Sequence, residues 1–277
     1  VDVKQLPQGM GTTWNEPYWP TLTAASLTEA VAIASPQQVS DASVVITPAE
    51  VGGQIIFTRR MANMISENFS TVAGKLLGNA IARKKDQDLI GSVQGASQTA
   101  IGSTTTTASW DLVARGVSRV ESGRIGTART GALTEGDPAP RPYFSLHHPH
   151  HRFDFASQFN GLGGAPTQVT TAAAAANYFG QTISDEQFKI IRGHFTFNDL
   201  AGATVLFDGN LTISSNAVTG AIWAKESTVL VPFRQLDVDQ EWNPSRRAWE
   251  WTATEDYGFG TRTDAWIQKV SYDASAA

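Results

Sequence analysis

From Met61 to about Ile90, apolar residues recur at helical intervals: Ile65, Phe69, Val72, Leu76 and Ala80 are four, three, four and four residues apart. The expectation is one apolar stripe on one long helix. At about 1.5 Å per residue an unbroken helix over this span reaches about 45 Å, long for a globular domain. Gly74 and Gly78 lie inside it and each costs roughly 1 kcal/mol relative to Ala, so they either permit close packing or mark a bend. Arg83, Lys84 and Lys85 sit near its end, where cations suit the helix dipole or a phosphate.

The segments before this helix look unable to fold alone. Residues 1–28 carry Pro7, Pro17 and Pro20 among Trp14, Tyr18 and Trp19, with no helical or alternating period, so an extended, irregular arm is expected. Its aromatics either pack back on their own domain or lie across a neighbouring subunit. Between Glu29 and Arg60, the runs Val31–Ile33, Val44–Ile46 and Ile55–Phe57 are separated by Pro36, Asp41, Pro48 and Gly52-Gly53, which reads as a β-hairpin and a returning strand. A hairpin this small has little core of its own, so it projects or is covered.

After the helix, residues 91–108 form a Gly/Ser/Thr-rich stretch that marks a candidate boundary. Ser109 then suits the N-cap of a helix with Trp110, Val113, Val117 and Val120 on its apolar face and Gly123 at its end. Strands are expected at Tyr143–Leu146, Phe195–Phe197, Val205–Phe207 and Gly220–Ala224, with a capping-box helix from Ser184 between the first two. Near the C-terminus Leu236, Val238, Gln240 and Trp242 alternate, Asn243-Pro244-Ser245 turns, and Arg247, Trp249, Trp251 and Ala253 return. Trp266, Gln268 and Val270 form a last strand. The fold class is α+β, with one long helix, shorter helices and separated groups of strands.

Composition points to assembly more than to catalysis. Charged residues make up 17% of the 277, against about 25% in typical domains. With 41% hydrophobic residues and Trp 8, such a surface suits burial against protein, although a large Thr/Ser-rich monomer is an equally cheap explanation. The net charge of -5 gives no global field for nucleic acid or an anionic membrane, and no stretch approaches the roughly 20 apolar residues of a membrane span. The absence of cysteine rules out thiolate nucleophiles, disulfides and Cys-ligated metals.

Few residue patterns in the chain point to chemistry. His147, His148, His150 and His151 suggest a metal, yet strand alternation leaves two ligands per face where catalytic zinc takes three, with Asp154 the one further candidate. No HExxH helix, P-loop, dinucleotide-binding glycine motif or GxSxG elbow is present. Glu135 with Asp137, and Glu255 with Asp256, read as exposed turn carboxylates. Arg115, Arg119, Arg124 and Arg129 give one local positive face, compatible with nonspecific phosphate contact only. No catalytic residue, metal ligand or cofactor is assigned.

The order of these parts resembles the major capsid protein of tailed bacteriophages, the Hong Kong 97 type of fold. The passage SDASVVITPAEVGGQIIFTRRMANMISENFSTVAGKLLGNAIARKKDQDLIG is similar to that family's run from the extended loop into its spine helix. PRPYFSLHHPHHRFDFASQF resembles the axial-domain strand that ends in a His-Pro pair, and SRRAWEWTATEDYGFGTRTDAWIQKVSYDA resembles the closing strands. The resemblance implies an N-terminal arm at 1–28 and an extended loop with a return strand at 29–60. It further implies a spine helix with linker at 61–108, an axial domain at 109–235, and C-terminal strands at 236–277 returning to a discontinuous peripheral domain. It implies a non-enzymatic coat protein in the virion, assembled in the bacterial host cytoplasm from hexamers and pentamers into an icosahedral shell. Scaffold, portal or cement proteins and nonspecific contact with packaged double-stranded DNA are the implied partners, with no membrane. Trp14, Tyr18, Trp19, Ile46 and Ile55 are the candidate intersubunit contacts. Some members link their loops through a Lys–Asn isopeptide bond, and residues 29–60 contain no lysine, so no cross-link through that loop is expected. The alternatives are an encapsulin-like bacterial compartment, a tail or connector protein, and a metal-dependent enzyme built on His147–His151.

Overall fold

The computed structural model describes residues 1–6, 11–19, 26, 42–64, 69–123, 137–152, 154–155 and 202–274. In chain order the elements are β1 (Asp2–Val3), β2 (Trp14–Tyr18), β3 (Ala42–Ile46), β4 (Ala49–Thr58), α1 (Arg59–Met64) and α2 (Phe69–Gln94). They continue as β5 (Ile101–Gly102), α3 (Trp110–Ser122), β6 (Tyr143–His147), β7 (Ala203–Phe207), β8 (Ala217–Ala224), β9 (Thr228–Asn243), β10 (Ala248–Thr261) and β11 (Ile267–Asp273). The chain divides into two compact units, one formed by Val1–Ser92 with Thr228–Arg262, the other by Val93–Ser227 with Thr263–Ala277. The expected run Val31–Ile33, the helix from Ser184 and the strand Phe195–Phe197 lie outside the described residues.

In the first unit a four-stranded sheet runs in the order β1-β9-β10-β4. The alternation read around Asn243–Ser245 is the β9–β10 hairpin, in which Trp242 stands opposite Trp249, Gln240 opposite Trp251 and Val238 opposite Ala253. β4 adds antiparallel to the other side of β10, with Phe57 opposite Trp249 and Ile55 opposite Trp251. Because side chains alternate along a strand, these residues share one face of the sheet. Leu77 and Ile81 of α2 pack on that face with the buried Ala253 and the half-buried Ile55 and Trp251.

This packing corrects the helix stripe. The buried row is Ala73, Leu77 and Ile81, whereas Leu76 is 53% exposed and Ala80 is exposed. Ile65 lies outside the described residues. The reason is that two apolar rows with four-residue spacing run side by side on this helix, about 100° apart, and period alone does not choose between them. The sheet selects the row whose Leu and Ile meet the small Ala253. Within the arm Trp14–Tyr18 is a regular strand: it pairs antiparallel with β3 over five residues, Trp14 opposite Ile46 and Tyr18 opposite Ala42. Pro17, which lacks an N–H, is tolerated because this two-stranded ribbon leaves every strand an edge.

The second unit holds a five-stranded sheet in the order β5-β11-β8-β6-β7. β8 lies between two neighbours, and from Gly220 to Ala224 it is buried at every position, the continuous apolar run of a central strand. α3 follows the reading closely. Its cap Ser109 accepts a hydrogen bond from the Leu112 N–H at 3.4 Å, and Gly123 closes it at φ 62. Leu112, Val113, Gly116, Val117 and Val120 are its buried residues. Gly116 admits the approach to β8, since a Cβ there would stand 2.3 Å from Ile222 Cδ1. The Gly/Ser/Thr-rich stretch after α2 is held to the unit at Ile101, which pairs parallel with Val270, and at Gln98, which is buried.

Leu76 and Leu77 therefore differ in what a charge would cost. Leu77→Asp places a charge in the sheet-facing row and should cost more than about 3 kcal/mol in a denaturant titration. Leu76→Asp, one residue away, should stay within about 0.5 kcal/mol of the parent.

Candidate functional site

The histidine cluster resolves into core and surface. β6 ends at His147, Pro149 and His150 form a turn, and His151 begins a helical turn, so the four rings do not continue a strand's alternation. His147 and His151 are fully buried, His148 is 9% exposed and His150 is exposed. His147 shares a hydrogen bond between Nε2 and Ser145 Oγ at 2.6 Å. Its ring meets Phe155 edge-on with centroids 5.1 Å apart and lies 5.5 Å from Tyr272 and 6.2 Å from Phe207. His151 meets the same Tyr272 at 4.9 Å, and Trp110 stacks on Phe155 at 4.3 Å while donating Nε1–H to its carbonyl.

These two imidazoles therefore serve as aromatic core. Burial, reinforced by His151, pushes the His147 pKa down to about 3. Burial, with His148 and His150 adding to it and Asp273 opposing, pushes His151 down to about 4. Both are neutral near pH 7. Among the described residues no group of three or more His, Cys, Asp or Glu side chains has a metal-holding arrangement. Asp154 is held above the usual carboxylate range by burial and by Asp273.

The other residues singled out in the sequence are engaged within their own units. Lys84 pairs with Asp88 and Lys85 with Glu255, which is itself only 9% exposed. Asp256 lies 3.4 Å from Arg234. Arg115 pairs with Asp111, while Arg119 is half-buried and reaches Gln268 at 3.5 Å. Asp137 accepts from Trp266 Nε1 through its backbone carbonyl at 2.9 Å. Arg124, Arg129 and Glu135 lie outside the described residues.

The candidate contact residues separate in the same way. Ile46 is 3% exposed and clusters with Leu6, Val229 and Val231, with Trp14 and Val44 packed against them. The close approach of β10 to Ile46 depends on Gly260, where a Cβ would stand 2.4 Å from Ile46 Cγ1. Ile55 faces α2, Tyr18 is half-buried, and Trp19 is 61% exposed.

A feature missed in the sequence ties the arm down. Arg262 donates from Nε to Glu16 at 2.8 Å and from a terminal nitrogen to Asp2 at 2.7 Å, and Trp14 Nε1 donates to the other Glu16 oxygen at 2.7 Å. Glu16 is 5% exposed. Burial by itself would lower the Arg262 pKa, but the hydrogen bonds to Asp2 and Glu16 raise it above the usual value. For Asp2, burial acts upward and is outweighed by the Arg262 hydrogen bond, so its pKa is lowered. No spacing signal announces a contact across 246 residues.

Two outcomes follow from this chemistry. Arg262→Met leaves a buried carboxylate at Glu16 without its cation and should cost about 3 to 5 kcal/mol, with Trp14 fluorescence shifting to the red as the arm frees. For the histidines the folded pKa values lie below the unfolded value of about 6.5, so the unfolded chain takes up protons first as pH falls. Stability of the second unit should be level above about pH 6.5. It should then fall toward pH 4 by as much as about 1.4 kcal/mol per pH unit for each imidazole. Urea titrations across that range should show a shallower fall in His151→Phe, which keeps the ring and removes the titration.

No known protein family matches the chain, and no curated protein matches it. Solved structures do. The acid-stable capsid of Helicobacter pylori bacteriophage KHP30 superposes with a TM-score of 0.70 at 10% identity, over 98% of this chain and 88% of that one. The capsid of the native GTA particle gives 0.68 at 12% identity over 99% and 88%, and the capsid of Ralstonia phage GP4 gives 0.67 at 10% over 99% and 87%. At these identities the likeness establishes architecture, and the chain carries the fold seen in these phage capsid structures.

Proposed function

We propose that this chain is the major capsid protein of a tailed double-stranded DNA bacteriophage, assembling through hexamers and pentamers into an icosahedral shell. The observation that carries the reading is the likeness to capsid structures over nearly the whole chain, both units included. In this reading the first unit is the peripheral domain with α2 as its spine helix and the second unit is the axial domain, so of the C-terminal strands expected at 236–277 β9 and β10 belong to the peripheral domain while β11 belongs to the axial sheet. Residues 1–28 are the arm and 29–60 the extended loop with β4 as its return strand, and the exposed Trp19 is an arm contact with a neighbouring copy. The chain works in the virion after assembly in the host cytoplasm, where scaffold, portal and cement proteins are its further partners. It performs no catalysis.

The physical features are those a coat subunit needs. A shell is held by many weak contacts repeated by symmetry, so each subunit must fold firmly while leaving surface for its neighbours. The 17% charge content keeps that surface from repelling other copies. The net charge of -5 avoids tight DNA binding by the subunit as a whole.

Negative-stain electron microscopy of the purified chain tests the reading, with absorbance at 260 and 280 nm taken on the same particles. Closed polyhedral shells, or rings of five and six subunits, are expected. Enclosed DNA supports a virion shell, and protein-only shells packed with an enzyme would identify a bacterial compartment instead. A chain that stays small and monodisperse at high concentration, with or without scaffold, refutes the proposal.

A further inference from the structure

The sheet of the first unit carries two opposite charge patches that its own unit does not neutralise. On β9, nine consecutive residues from Phe233 to Glu241 are exposed. Asp237, Asp239 and Glu241 stand opposite Thr254, Thr252 and Glu250 of β10, so alternation places them together on the face turned away from Leu77 and Ile81. Glu241 and Glu250 are directly opposed like charges, a destabilising arrangement unless cations intervene. Glu250 is satisfied by Gln54 at 3.0 Å, Asn243 at 2.9 Å and Arg246 at 3.2 Å. Asp237, Asp239 and Glu241 make no ion pair among the described residues.

The positive patch lies at the end of the same sheet. Thr58 is opposite Ala248, which brings the end of β4 beside the β9–β10 turn, and the Arg59 N–H donates to the Arg247 carbonyl at 3.1 Å. Arg59, Arg60 and Arg247 are exposed, and none has an ion-pair partner among the described residues. Arg247 is held in place by the turn, at φ 51. Exposed apolar side chains accompany both patches: Met61 and Met64 follow the arginines, and Ile56 lies on the acidic face. Charged groups around a modest apolar centre are the composition of a protein interface.

We propose that Arg59, Arg60 and Arg247 of one copy dock on the Asp237–Asp239–Glu241 face of a second copy of this chain. The proposal deepens the shell reading and rests on it for the closed assembly. The two patches make no ion pair with each other among the described residues, and pairing them between copies gives a head-to-flank contact. Such heterologous contacts repeat from copy to copy and close into rings when the rotation allows. Complementary patches of this kind set partner choice and register, and salt weakens them.

The test is charge exchange in the full chain, read by sedimentation velocity for self-association and by electron microscopy for closed shells. R60E/R247E and D237K/D239K should each weaken self-association at least about tenfold while keeping the parent's melting temperature. The chain carrying all four substitutions restores opposite signs and should return close to the parent. Raising salt from about 50 to about 500 mM should weaken the parent and the four-site chain alike. Should a pair fail to fold, Arg60→Glu and Asp239→Lys singly, and then together, serve the same comparison. Unchanged association in R60E/R247E overturns the proposal. So does a four-site chain that stays dissociated, because the two sets of charges then do not face each other. Parent shells that ignore every exchange leave the shell reading standing and remove this contact. Salt-dependent association that obeys the exchange but never closes keeps the contact and removes the shell reading, and a monomeric parent removes both.

Discussion

The antiparallel ladder between β9 and β10 is the interaction on which the first unit depends. Its register, Trp242 opposite Trp249 and Ala253 opposite Val238, decides which side chains meet α2 and which meet solvent. A slip of one residue would turn Glu250 and Thr252 toward Leu77 and Ile81 and send the tryptophans outward. The apolar row of α2, the edge position of β4 and the open acidic flank all follow from that one pairing. The tryptophan rings, with centroids 5.1 Å apart near the hairpin end, add a directional contact that resists such a slip.

Elements whose boundaries are local in sequence were legible. α3 has a serine cap, an apolar face and a terminal glycine within fifteen residues, and the structure keeps all three. The β9–β10 hairpin is equally local, since its period of two changes direction at a Pro-containing turn. α2 was legible as a helix but not in its orientation, because two apolar rows satisfy the same period and only the sheet distinguishes them. The arm shows the opposite limit. Its prolines and aromatics suggest irregularity, yet Trp14–Tyr18 is a strand because β3, whose first residue lies 24 positions beyond Tyr18, offers it an edge. Glu16 with Arg262 lies further still beyond local reading, because only tertiary structure brings an acid near the start beside a base near the end.

The histidine cluster shows why residue type alone is a weak guide to chemistry. Four imidazoles within five residues look like a metal site, but two face an aromatic core and the other two sit beside a proline turn. What separates these readings is burial with aromatic neighbours. Phe155 is close in sequence, while Tyr272 arrives from β11 and was not a candidate. A neutral imidazole fills such a pocket as a flat ring and can still bond Ser145. Acid adds a further cost by forcing a charge onto a buried ring.

A chain this sparing of charge makes each unpaired charge informative. Many ionic side chains in the described residues are spent within their own unit: Arg262 on Glu16 and Asp2, Lys85 on Glu255, Arg234 on Glu50 and Asp256. Such contacts are worth little where solvent reaches them and are costly to break where burial would leave one partner charged and unpaired. Against that background, three exposed arginines at one end of a sheet and three exposed carboxylates on its flank are not surplus solubilising charge. A surface designed only for solubility intersperses its signs, whereas segregated patches of opposite sign on one rigid sheet attract another copy of the same sheet and orient it. In this chain the instructions for folding lie in the apolar face of the β9–β10 hairpin, and those for recognising another copy are inferred to lie in its charged face. The strict alternation of a β-strand lets one segment carry both.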